Sequence, residues 1–240
     1  MPVANNLKEC FPMLRSREEV LKKIDGEEHL KKTYHSWKNE EQEEFLDMCT
    51  GARGVKMLYD AFFKEVMDPE YAPQRLSDFL SAVLGAPLRV KTALPNDTTR
   101  LTDESSLLVL DIVVEFEDGR IANVEVQKIG YLFPGERSAC YSADLLLRQY
   151  KRLRDERKKQ FSYRDIRTVY TIVLFEHSPE EFHAYPGVYR HCFEQTSDSG
   201  LKLKIPQKFT YIALDIFKKK QHNEGDRIHD RLEAWLTFFC

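Results

Sequence analysis

The sequence predicts an α/β fold: a mixed β-sheet flanked by helices, with a helical extension ahead of it. Three observations carry this. Two apolar, β-branched runs, Leu107 to Phe116 and Ile121 to Ile129, flank the turn signal Glu117-Asp118-Gly119 and read as a hairpin. Thr168 to Phe175 and Phe209 to Phe217 read as two further strands, the first buried on both faces. Segments with helical spacing fill most of the chain before Pro95 and the stretch between the hairpin and the third strand. With no internal repeat and no low-complexity linker, the economical division is a helical extension over 1–50 and one core domain over 51–240.

Taken in order, Ser16-Arg-Glu-Glu19 has capping-box spacing ahead of Val20, Leu21 and Ile24, so a helix is expected to start there. A Glu-rich helical stretch runs through Glu40 to Met48, and Gly51 to Gly54 interrupts it. Val55, Leu58, Tyr59, Phe62 and Phe63 recur at helical spacing until Pro69 closes the segment. Leu76, Phe79, Leu80 and Val83 do the same, with Gly85 as the stop. After the hairpin, a long helix is predicted from Glu136 to about Lys159. Lys218-Lys219-Lys220, after the last strand, reads as a solvated helix start.

Composition narrows the classes. The net charge of −3 gives no general affinity for nucleic acid, so any such case rests on local patches. Five cysteines, odd in number, irregularly spaced and without C-x-x-C, argue against a disulfide framework or a thiolate zinc site; they suit a reducing cytoplasm. The N-terminus lacks a signal-peptide core, and no run of apolar residues is long enough for a membrane span. The apolar end Leu236-Thr-Phe-Phe-Cys240 reads as a helix cut mid-stride, so a shortened chain is expected there.

The hairpin carries the chemistry. Asp111 stands among Leu107 to Leu110 and Ile112 to Val114, where a carboxylate is costly to bury unless it is paired, protonated or bound to a cation. Alternation puts Glu125 and Gln127 on one face of the next strand. Register decides whether they meet. A two-residue Asp118-Gly119 loop sets Asp111 opposite Val126, whereas a three-residue loop with Gly119 in a G1 bulge sets it opposite Glu125. In the second case the Cβ atoms lie about 4.5–5.5 Å apart, and a divalent cation is the natural partner of two carboxylates so placed. The plainer reading makes Asp111 an edge-strand charge and Glu125 and Gln127 a solvated strand face.

Asp111, a glycine-turned hairpin and Glu125-Val126-Gln127 together resemble the Asp…Glu-x-Lys signature of PD-(D/E)XK nucleases, in the transposase-associated, recombination-promoting branch that carries Gln last. Tyr59-Asp60-Ala-Phe62-Phe63-Lys64 is similar to that family's first-helix segment. Asn123-Val-Glu125-Val-Gln127 is similar to its second strand, and Glu136-Arg137-Ser-Ala-Cys140-Tyr141 to the opening of its following helix. The likeness runs from about Val55 to Phe217, and residues 14–54 resemble the helical lead-in of a bacterial subgroup. It implies a restriction-endonuclease-like core and a metal-dependent DNA endonuclease linked to a mobile element or recombination. Asp111 and Glu125, with the carbonyl of Val126, would hold Mg²⁺ or Mn²⁺. Gln127 stands where the family has Lys, able to orient water but without charge. Lys64 is a candidate replacement cation, and Arg137 and Tyr141 are candidate phosphate contacts. The alternative is a nuclease-fold DNA-binding or interaction module whose chemistry has decayed.

Residues 148–167 hold nine cations against three anions, so Arg148, Lys151 and Arg152, with Gln149, are candidate DNA contacts if the segment borders the site. The partner expected is DNA, not a membrane, with a homodimer as a further option. Zinc-hydrolase, P-loop, dinucleotide-binding and nucleophile-elbow motifs are absent from the sequence.

Overall fold

The computed structural model describes residues 15–52, 57–58, 60–95, 111–130, 133, 135–225 and 227–240. It divides into two compact units, Met1–Lys56 and Met57–Cys240. In the first, α1 (Arg17–Gly26), α2 (Glu28–Ser36) and α3 (Asn39–Thr50) bury Val20, Ile24, Tyr34 and Leu46 as a small core. The capping box at the start of α1 is reciprocal: Glu19 N–H donates to Ser16 Oγ at 3.2 Å, and Ser16 N–H donates to Glu19 Oε2 at 2.7 Å.

The second unit is a six-stranded mixed sheet. Its strands are β1 (Val90–Ala93), β2 (Ile112–Phe116), β3 (Ile121–Ile129), β4 (Val169–His177), β5 (Arg190–Phe193) and β6 (Gln207–Ala213), in the order β1-β2-β3-β4-β6-β5. The central β3, β4 and β6 are mutually parallel; β2 joins antiparallel to β3, and β1 and β5 are antiparallel edges. Alternation sorts each strand between two cores. Ile112, Val114, Phe116, Ala122, Val124, Ile172 and Leu174 face α4 (Asp60–Val66), α5 (Pro73–Leu84), α8 (Leu214–Asn223) and α9 (Arg231–Phe239). Val113, Ile121, Val169, Val173 and Phe175 face α6 (Gly135–Arg157), through Tyr141 and Leu145. α7 (Glu180–His183) is a single turn. No helix among the described residues is long and apolar enough to cross a membrane.

Several expectations change. Asp111 stands one residue before β2 instead of mid-strand, while Leu107 to Leu110 lie outside the described residues. The run Phe209 to Phe217 is not one strand: the backbone turns helical at Leu214, and Leu214, Ile216 and Phe217 bury at helical spacing. Lys218 to Lys220 therefore sit inside α8, not at its start, and Lys220 Nζ pairs with Glu233 at 2.9 Å. The two edge strands, four residues each and partly polar, carry too little period-2 signal to be read beforehand.

The β2–β3 turn has the three-residue form. Gly119 takes the left-handed conformation at φ 82°, and Phe116 N–H donates to the carbonyl of Arg120 at 2.9 Å. A Cβ on Gly119 would meet only the Arg167 side chain at 3.4 Å, so an added methyl costs conformational energy without a clash. Gly119→Ala is expected to lower stability by about 1 kcal/mol, read as a reduced urea midpoint at unchanged slope. A neutral result would place the turn in another conformation.

Candidate active site

The turn fixes what lies across the hairpin. Ile112 pairs with Val124 and Val113 with Asn123, so the next step of the register sets Asp111 opposite Glu125. Backbone amides tie the two reciprocally. Asp111 N–H donates to Glu125 Oε1 at 3.1 Å, and Val126 N–H donates to Asp111 Oδ2 at 3.0 Å. Lys64, from α4, brings Nζ to 3.0 Å from Asp111 Oδ1. Tyr59, in the same sequence segment, lies outside the described residues.

Burial differs sharply across the pair. Glu125 is 1% exposed, whereas the side chain of Asp111 keeps 15% on a cleft of about 390 Å³. Lys64, Asp68 and Glu70 also line that cleft. Burial, and then the neighbouring Asp111 charge, push the Glu125 carboxyl up from 4.5 to about 8. The Asp111 amide and Arg137 pull the other way. So does the Asn123 amide, although neither of its polar atoms completes a hydrogen bond of normal geometry. Glu125 is therefore largely protonated at neutral pH without a cation. Gln127 is half-buried on the same face, while Lys128 is exposed and alternates to the other.

The helix after β3 supplies the next layer. Tyr141, expected as a phosphate contact, is fully buried. The exposed Arg137 donates from Nε to its hydroxyl at 2.9 Å, and the guanidinium packs 4.7 Å from the Phe133 ring centre. Burial raises the Tyr141 phenol, Arg137 opposes this, and Glu125 and Asp111 raise it further. Arg137 thus belongs to the electrostatic surroundings of Glu125.

The expected cationic segment meets this site only in part: Arg148 reaches Pro95, which lines the cleft with Asp111, while other members are drawn elsewhere. Gln149 is 1% exposed, and its amide donates to the Arg167 carbonyl and accepts from the Arg167 N–H; it braces backbone, a correction of its expected place at a DNA surface. Arg148 pairs with Asp144 at 2.8 Å and donates to the Pro95 carbonyl. Arg152 pairs with the buried Glu115, which Lys91 also meets at 3.1 Å. Lys151 is exposed. Arg167 lies beside the hairpin turn, where with Arg120 it lowers the Asp118 carboxyl. That turn begins six positions along the chain from Asp111, roughly 20 Å of extended strand.

Sequence reading passed over Asp68, which accepts from the amides of Glu70 and Tyr71 at the cleft edge; Asp68-Pro69 signalled only a helix end. It also passed over Asn123 as a wholly buried amide two residues from Glu125.

Two carboxylates with a nearby main-chain carbonyl offer oxygen donors, which suit a hard divalent cation completed by water and phosphate. Among the described residues no group of three or more His, Cys, Asp or Glu side chains converges; the two carboxylates here are those of Asp111 and Glu125. The partly exposed Asp111 beside a Glu125 that resists ionisation fits such a cation, whose charge would offset the burial and the Asp111 repulsion that raise Glu125. Residues 57–240 match the family described as PD-(D/E)XK nuclease family transposase. Comparisons with curated proteins and with solved structures return no match.

A raised carboxyl holds its proton more tightly in the folded state, so its contribution to stability is full below 4.5 and is lost as pH rises toward about 8. Glu125→Gln keeps an acceptor for Asp111 N–H and removes that loss. Without divalent cation, it is expected to raise Tm at pH 8.5 by several degrees relative to the parent and to change it little at pH 4. Equal Tm differences at both pH values would contradict the assigned burial of charge.

Proposed function

The chain belongs to the PD-(D/E)XK nuclease family transposases, and from that premise we propose that it is a metal-dependent endonuclease hydrolysing phosphodiester bonds in DNA, serving a mobile element or recombination. The observation that carries this reading is the reciprocal pairing of Asp111 and Glu125 across the hairpin, with Lys64 at its open side. Asp111, Glu125 and the carbonyl of Val126 would hold Mg²⁺ or Mn²⁺. When bound, the cation polarises the phosphate and makes a water acidic enough to attack.

The chain's own residues supply position and charge. Gln127, on the Glu125 face, orients the attacking water through its amide but brings no positive charge. Lys64, 3.0 Å from Asp111, is the cation able to stabilise charge building on phosphate, the task a lysine at position 127 would otherwise have. Arg137, braced on Phe133 and Tyr141, presents a guanidinium at the edge of the site and contacts a flanking phosphate. Tyr141 acts beneath it as a support. Of the cations on α6, Lys151 is exposed to solvent; Arg148 and Arg152 serve mainly as internal pairs.

The test is cleavage of supercoiled plasmid with Mg²⁺, Mn²⁺, Ca²⁺ or chelator. Nicking is expected with Mg²⁺ or Mn²⁺ and not with chelator, and Asp111→Ala is expected to abolish it. Gln127→Ala and Lys64→Met should each lower the single-turnover rate by about 10²-fold, near the low end for loss of one charge-stabilising or proton-handling group. A folded protein that binds DNA but fails to cleave it with any of these cations would favour the decayed module.

A further inference from the structure

A second concavity lies on the α6 side of the sheet, where β4, β6 and β5 run on beyond the helix. It measures about 700 Å³, within the roughly 300–1,000 Å³ typical of ligand sites. Aromatic rings make its floor. Phe175 and Tyr211 stack with centres 6.0 Å apart, Phe182 stands edge-on to both, and Phe193 meets Tyr211 at 5.4 Å while staying 51% exposed. Three exposed carboxylates, Glu136 on α6 and Glu180 and Glu181 on α7, form its rim. Among the described lining residues there is no Lys, Arg or His.

That combination selects by charge. Three carboxylates repel phosphate, which disfavours a nucleic-acid backbone, while ring faces and carboxylates both attract an organic cation. Phe133, which also lines the pocket, shows the same chemistry within the chain, since Arg137 packs over it at 4.7 Å. The sheet edge decides between a free amine and a peptide. β5, which carries the exposed Phe193, is the last strand of the order and among the described residues pairs only with β6, so its outer edge has no strand partner there.

We propose that this aromatic, carboxylate-rimmed pocket docks a basic peptide segment of a protein partner, whose Arg or Lys enters over the rings while its backbone runs along β5. The pocket adjoins the candidate active site through Phe133 and Arg137, but its occupant does not depend on what the Asp111–Glu125 pair catalyses.

The test uses the full chain and three pools of acetylated heptapeptides, randomised except for a central Arg, citrulline or Glu. Enrichment from the Arg pool alone is expected. The enriched peptide should bind about tenfold more tightly than its citrulline counterpart, in a salt-sensitive manner. The double variant Glu180→Gln/Glu181→Gln, altered only at exposed positions, and Phe193→Ala should each weaken it by roughly five- to tenfold at unchanged Tm. Equal enrichment from the citrulline pool, or binding untouched by these variants, overturns the proposal. So does competition by spermidine, or by a short oligothymidylate, as effective as that of the peptide; these outcomes assign the pocket to a small amine or a nucleobase.

Discussion

The structure turns on one constraint, the register of a nine-residue strand against a five-residue one. Because side chains alternate, a slip by one residue would carry Glu125 to the opposite face of the sheet. Gly119 prevents that slip by accepting a left-handed backbone that closes a three-residue turn. From there the ladder runs through four pairs to Ile112 and Val124, and the next position brings Asp111 to Glu125. Both cores lock the same register, since Val113 and Ile121 bury on one side while Ile112, Val114 and Val124 bury on the other.

Holding two carboxylates together on a buried strand is unfavourable, and the surroundings distribute the cost. Main-chain amides satisfy one oxygen of each. Lys64 neutralises the exposed side of Asp111, and Arg137 acts on Glu125 from α6. What remains is a Glu125 carboxyl raised to about 8, well above the ordinary carboxylate range. The same arrangement bears on Gln127. Gln127 brings an amide and no charge to the Glu125 face. With Lys64 approaching Asp111 from another helix, the positive charge comes from outside the hairpin.

The hairpin, the long helix and the capped helices were legible because each is set by local sequence: β-branched runs, the Ser16–Glu19 box, glycines at Gly85 and Gly119. The register was not, since Glu117-Asp118-Gly119 serves a two- or a three-residue turn equally well. Packing of the turn and both cores makes the choice. The strand-to-helix change at Leu214 escaped because Phe209 to Phe217 is apolar throughout and suits either period. The cationic run 148–167 looked like one surface, yet Arg148, Gln149 and Arg152 are drawn into pairs with Asp144, the Arg167 backbone and Glu115. Those partners lie elsewhere in the sequence or one helical turn away, and composition does not reveal them. The likeness to a nuclease family was legible in its ordered motifs from about Val55 to Phe217, and the family match over 57–240 covers nearly all of that stretch and extends past it.

The central claim is that Asp111 and Glu125 form one cation site whose occupation takes the proton from Glu125. Calorimetric titration with Mn²⁺ at pH 7, in two buffers of different ionisation enthalpy, measures it directly. The account predicts one cation bound with release of nearly one proton, and loss of both in Asp111→Asn and in Glu125→Gln. Binding without proton release, or binding that survives either substitution, would contradict it.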